Sequence, residues 1–322
     1  MTETRYLPEG ELFRTADNAA ALASRESLER AMAERRILEA VAVRCDCADM
    51  TLTVALGPMT GYIRREDAAF SPDGQPVKDI AVITRVGRPV SFVVTGFFTD
   101  SDGSLAARLS RAEAQRRAFS AHVSRLVPGD VIPARITHLE PFGAFADVGC
   151  GLVALMTVDA MSVSRISHPS ERLTPGELIR CAVRESTDGG RRVYLTLREL
   201  LGTWEENAAL FSPCETVTGI VRSVEDYGVF VELTPNLCGL AERCEAKVGA
   251  SFSVYVKSII PERMKVKLVV VDEAPAAPRA PLRYFVGGDV THIARWRYSP
   301  ECCLRRIGTD FDALASAAPS MV

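Results

Sequence analysis

Apolar positions fall into two regimes along this chain. Within residues 10–36, Leu12, Ala16, Ala19, Ala23, Leu28 and Met32 recur at roughly helical spacing with charges between them, which predicts a helical segment at the N-terminus, residues 1–36. From Ile37 the period drops to two: Val41 and Val43, then Leu52, Val54 and Leu56, then Val90, Phe92 and Val94. That period belongs to half-buried strands. Ser110 with Glu113 makes a capping-box pattern that opens a helix through Arg116, Phe119 and Val123. Strand-like runs follow at 131–139, 145–148, 152–155, 178–183 and 193–197, then a second capping box, Thr203 with Glu206, then further alternation to residue 271. Residues 272–281, rich in Pro and Ala, read as a semi-extended linker.

The expected organisation is a helical segment (1–36), a β-module (37–111), a linker helix (112–126), a β-module (127–199), a second linker helix (200–213), a β-module (214–271), and a linker with a C-terminal tail (272–322). Five strands in about 70 residues, with no helical layer to cover a parallel sheet, predict a mainly β chain of tandem small five-stranded Greek-key barrels of the oligonucleotide-binding class. Closed barrels also remove the exposed sheet edges that tandem β-modules would otherwise present.

The last two modules repeat one another. Phe142-Gly143-Ala144-Phe145-Ala146-Asp147-Val148 returns 85 positions later as Tyr227-Gly228-Val229-Phe230-Val231-Glu232-Leu233. Upstream, Ile132, Ala134, Ile136, Leu139 and Glu140 face Val217, Gly219, Val221, Val224 and Glu225; downstream, Gly151-Leu152 is matched to Gly239-Leu240 after a short insertion, Thr234-Pro235-Asn236-Leu237. Such self-similarity marks a duplicated module. Exposed aromatics beside basic residues on a small sheet suit single-stranded nucleic acid, because every base has a face that can stack.

Composition narrows the choice. A formal net charge of −3 excludes a broadly basic binder, so affinity for nucleic acid must come from local patches. Nine cysteines at irregular spacing, with no Cys-x-x-Cys, argue against a disulfide framework and against a metal site. No cofactor is expected, nor an enzyme: there is no Gly-rich phosphate loop and no nucleophile–base arrangement of recognisable spacing. The apolar runs are too short to span a bilayer and the N-terminus lacks the apolar stretch of a signal peptide, so a soluble, cytoplasmic protein is expected. The sequence does not speak to oligomeric state.

Gly129-x-Val131-x-x-Ala134-x-Ile136, Phe142-Gly143-Ala144-Phe145, Gly151-Leu152-Val153 and Arg192-Val193-x-Leu195-Thr196-Leu197 resemble the S-one RNA-binding domain, the barrel repeated in the largest protein of the bacterial small ribosomal subunit. The second copy matches through Gly219, Tyr227-Gly228-Val229-Phe230, Gly239-Leu240 and Lys265-Val266-Lys267-Leu268. Residues 164–169, 200–207 and 298–300 are similar to shorter homologues of that ribosomal protein in clostridia-like bacteria. Residues 37–111 resemble a degenerate copy, with Met50 and Thr53 where the aromatics belong, so a barrel is expected there without the nucleic-acid face.

The resemblance implies that Phe142, Phe145, Tyr227 and Phe230 stack on bases; the residues alone leave open that Phe145 and Phe230 are core. Laying Gly176 on Gly249 pairs Arg184 with Lys257 and Arg192 with Lys265, basic positions suited to phosphate contacts that carry no sequence information. Asp188 keeps the family's acidic position four before Arg192, whereas the second copy has Pro261; Ala154 and Glu242 stand where the family often has histidine. Arg165, His168 and Arg172 either extend the phosphate track or form a solvated loop. The implied function is non-catalytic binding of single-stranded RNA, mRNA foremost, in translation at the small ribosomal subunit, docked through residues 1–126. A non-ribosomal RNA-processing or regulatory cofactor is the alternative.

Overall fold

The structure is a computed structural model and describes residues 6–71, 74–100, 102–276 and 281–317. The N-terminal stretch is less helical than its apolar spacing predicts. It holds two short helices, α1 (Ala16–Leu22) and α2 (Arg25–Ala33), because Ser24 stops one and restarts the other through a reciprocal capping box with Ser27. Upstream, the amides of Gly10 and Phe13 are drawn to the Glu39 carboxylate at 2.9 and 2.8 Å instead of into a helix.

Three closed five-stranded barrels follow. The first comprises β1 (Leu38–Cys45), β2 (Leu52–Ala55), β3 (Thr60–Ile63), a short helix α3 (Asp79–Ile83), β4 (Pro89–Thr99) and β5 (Leu105–Ser110). Helix α4 (Arg111–Ala121) leads to the second: β6 (Val131–Glu140), β7 (Gly143–Asp147), β8 (Val153–Thr157), β9 (Leu178–Thr187) and β10 (Arg192–Thr196). Helix α5 (Trp204–Ala208) leads to the third: β11 (Thr216–Glu225), β12 (Gly228–Thr234), β13 (Leu237–Ala241), β14 (Ser251–Ile260) and β15 (Lys265–Glu273).

All three share one topology. The third and fifth strands pair in parallel and every other pair is antiparallel. The first strand of each barrel carries a register shift at the same place, between Ala42 and Arg44, Ile136 and His138, and Val221 and Ser223. The extra residue bends that strand so that one end pairs with the second strand and the other with the fourth, which closes the barrel. These are tandem oligonucleotide-binding folds.

Inward residues are mostly small where strands crowd. Ile132, Ala134, Ile136, Ala144, Ala146, Met156, Val183 and Leu195 fill the second barrel. In β1 the parity is opposite to the one suggested by its valines: Leu38, Ala40 and Ala42 face the core, while Val43 is exposed. On this strand the barrel interior takes the alanines and leaves Val41 and Val43 on the outer face.

The C-terminal tail packs back onto the second and third barrels. Of the Pro/Ala linker, residues 277–280 lie outside the described residues. Beyond them Arg180 donates to the carbonyls of Val286, Gly287 and Val290, and the Phe285 amide donates to Leu200 O at 2.9 Å. A two-stranded ribbon, β16 (Arg295–Arg297) with β17 (Gly308–Asp310), places Trp296 and Tyr298 in the third barrel's core cluster. Phe311, opening α6 (Phe311–Ala317), is fully buried against Val131, Ala182 and Leu200 of the second barrel region. The tail is a strap across two barrels.

Candidate nucleic-acid interface

Phe142 and Tyr227 sit at hairpin tips and are 54% and 69% exposed. Each meets the second aromatic of its motif edge-on: Phe142 and Phe145 at 5.9 Å and 87°, Tyr227 and Phe230 at 6.1 Å and 90°. The intervening glycine is a steric requirement. A Cβ on Gly143 would lie 2.4 Å from Met156 O, and one on Gly228 2.3 Å from Ala241 O. Phe145 and Phe230 are half-buried and absent from the core clusters, while their neighbours Ala144, Ala146, Val229 and Val231 point inward. Strand alternation therefore puts the second ring of each pair outside.

Register defines the surrounding face. Across the second barrel the outward row is His138, Phe145, Leu155, Tyr194 and Glu185; across the third it is Ser223, Phe230, Leu240, Lys267 and Ser258. His138 stacks on Phe145 at 4.4 Å and 12°. Sequence reading missed His138, Tyr194 and Lys267, whose one signal was their strand parity relative to the aromatics.

The register also corrects one sequence match. Leu155, not Leu152, stands opposite Phe145 as Leu240 stands opposite Phe230, ten residues on in each copy. Gly151 and Leu152 belong to the preceding turn, where the Gly149 and Gly151 amides donate to Asp147 at 2.8 and 2.9 Å. The supposed insertion is an inter-barrel joint. Asn236 is buried, accepts from the Val163 amide at 3.0 Å, and donates to Arg198 O and Gly202 O at 2.8 Å each.

The basic positions are equivalent in space. Arg184 and Lys257 occupy the register shift of the fourth strand in each barrel, and Arg192 and Lys265 open the fifth strand opposite Thr187 and Ile260. Lys257, Lys265 and Arg192 are exposed. Arg184 lies 3.3 Å from Asp159, and Asp188 lies 3.4 Å from Arg192, both solvent-facing pairs of little energetic weight that a phosphate can displace.

The loop cluster divides. Arg165 is exposed, and His168 is half-buried, capping the turn at 169–171 through Ser170. Arg172 does not extend a phosphate track: it is 3% exposed and donates to Glu232 of the third barrel and to Ser162. Glu232 also accepts from Arg222 at 2.7 and 3.0 Å. A buried carboxylate holds the guanidinium because solvent is excluded and the charge must be paired.

The acid two places after the second aromatic is thus a joint residue in both copies. Asp147 accepts from the Glu9 amide at 2.7 Å, and Glu9 binds Arg111 at 2.6 Å and the Ser91 amide at 3.0 Å, linking the first and second barrels. Burial, with the adjacent Glu9 carboxylate, pushes Asp147 up to about 7.

Fold and outward aromatics define a chain of tandem oligonucleotide-binding barrels. In sequence it is similar to small ribosomal subunit protein bS1: 29% identical over 54% of this chain and 30% of the Rhizobium meliloti protein, and 28% over 49% of this chain and 37% of the Leuconostoc lactis protein. Against the Pseudomonas aeruginosa protein it is 23% identical over 76% of this chain and 45% of that one. The chain thus spans less than half the length of these relatives. No family model matches it. Among the described residues no helix is long and apolar enough to cross a membrane.

Proposed function

We propose that the chain is a non-catalytic, single-stranded RNA-binding protein acting on mRNA in the cytoplasm at the small ribosomal subunit. One observation carries this reading: two barrels present the same edge-on aromatic pair beside basic residues at the same strand positions. Phe142, Phe145, Tyr227 and Phe230 take the bases. Arg184, Arg192, Lys257 and Lys265 take phosphates, Asp188 orients Arg192, and Arg165 and His168 lie along the exposed loop. Stacking and phosphate contacts discriminate little between bases, so selectivity is slight. The relatives' name, a small-subunit ribosomal protein, supports the location; on this reading residues 1–126 are the docking segment.

The test is a fluorescence-anisotropy titration with single-stranded and duplex RNA at several salt concentrations, alongside cosedimentation with small subunits. The expected result is preference for single strands, affinity falling as salt rises because counterions are released, and comigration with the subunit. Duplex preference or salt-independent affinity would contradict the RNA reading; failure to comigrate would contradict the ribosomal one.

A further inference from the structure

The first barrel has Thr53 where the other two have Phe145 and Phe230, as the register shows: Arg44 pairs with Thr53, Thr53 with Tyr62, Tyr62 with Arg108, and Arg108 with Gly96. That row is the counterpart of the two outward rows described above. Its aromatic is not lost but has moved one strand over. Tyr62 stands on β3 at the position of Leu155 and Leu240. Phe98, on the outward side of β4, meets Tyr62 at 5.9 Å and 49°. The Arg108 guanidinium lies 5.8 Å from the Phe98 ring centre, at the position of Tyr194 and Lys267. The Tyr62 hydroxyl donates to Asp100 at 2.6 Å, which fixes the ring. Arg44, across Thr53 from Tyr62, and Arg108, on the strand between the two rings, are both exposed.

From this we infer that the first barrel is itself a single-stranded RNA site, with Tyr62 and Phe98 as its stacking rings and Arg44 and Arg108 as its phosphate contacts. The inference rests on the RNA-binding reading of the other two barrels and adds a third site to it. Two half-buried rings on one face with two exposed cations match a base-and-phosphate ligand; an apolar protein partner would leave Arg44 and Arg108 desolvated without counter-charge. The Asp100 carboxylate lies on the tyrosine hydroxyl, at the ring's rim and not over its face. The chain therefore offers three stacking platforms in series, which lengthens the RNA it covers.

The experiment uses the full chain with uridine oligonucleotides of two lengths, roughly 12 and 36 nucleotides, since a barrel of this class covers roughly 4–16. Tyr62→Leu with Phe98→Leu keeps apolar bulk, and Arg108→Glu is a second variant at an exposed position. Each is expected to weaken binding of the long oligonucleotide about ten-fold while binding of the short one changes little, because two other platforms remain. Arg108→Glu should also lower the salt slope by about one. Photocrosslinking with 4-thiouridine should mark peptides containing Tyr62 or Phe98. Unchanged long-oligonucleotide affinity in both variants, with crosslinks confined to the Phe142 and Tyr227 regions, overturns the inference and leaves the parent reading standing. Absence of any single-strand binding by the wild-type chain overturns both.

Discussion

Replacing Phe142 and Tyr227 together with alanine removes the most exposed ring from each of two barrels. Each ring is more than half exposed and makes one edge-on contact inside the protein, with Phe145 or Phe230. Losing such a contact costs the fold about 0.5–1.5 kcal/mol beyond the little ring area that is buried, and tip positions on closed barrels leave the cores untouched. On RNA the same rings contribute about 1–3 kcal/mol per stacked base. Two platforms engaged on one strand therefore lose at least about 2 kcal/mol, roughly thirty-fold in Kd. The assay is anisotropy on a labelled oligonucleotide long enough to span both barrels, with far-ultraviolet circular dichroism and thermal melting in parallel. The expected outcome is a weakened complex and an unchanged spectrum. Unchanged affinity would refute the stacking role; a collapsed spectrum would mean that the rings support the fold and that the exposure argument is wrong.

Other expectations concern the joints. Arg172→Met leaves Glu232 with Arg222 alone in a buried setting and should cost about 1.5–3 kcal/mol, loosening the second barrel from the third; differential scanning calorimetry should show melting that begins at lower temperature and spreads over a wider range than in the wild type. Tyr298→Phe removes a buried hydroxyl that donates to Asn236 O at 2.6 Å and should lower stability by about 1–2 kcal/mol in urea titrations. Burial raises Glu39 to about 7, so the folded state holds its proton where the unfolded chain, near 4.5, has lost it. Stability on that account falls as pH rises from about 4.5 to 7, on the order of 3 kcal/mol, and is level above; Glu39→Gln should flatten that slope in melts across the range.

The duplicated aromatic-glycine motif was legible because it is local. A hairpin tip, a glycine forced by a neighbouring carbonyl and an outward ring two residues later all lie within seven consecutive positions. The same holds for the helix starts at Ser110 and Thr203: the glutamate amide at N3 donates to each cap hydroxyl, and the reciprocal bond from the glutamate side chain forms at Thr203, whereas Glu113 pairs with Arg116 and Arg117 instead. The N-terminal helical segment is interrupted for an equally local reason that apolar spacing does not carry: Ser24 and Ser27 compete with helix continuation.

What the sequence determined by itself was the alphabet of each barrel: period-two strands, the repeat, and the place where rings and cations recur. Which residues stand side by side was decided by the tertiary structure. Arg172 reads as one more loop cation until Glu232, 60 positions away, buries it. Thr234 to Leu237 reads as an insertion until Asn236 is seen seated on the second barrel. The tail reads as a linker until Trp296 and Phe311 close over two cores. The first barrel reads as bare until register brings Tyr62, Phe98 and Arg108 together from three strands. The physical reason is common to all four. Strand periodicity is set by a residue's own neighbours, whereas lateral contact depends on register, bulges and burial of charge between segments far apart in the chain, and those are fixed only when the barrels close and pack.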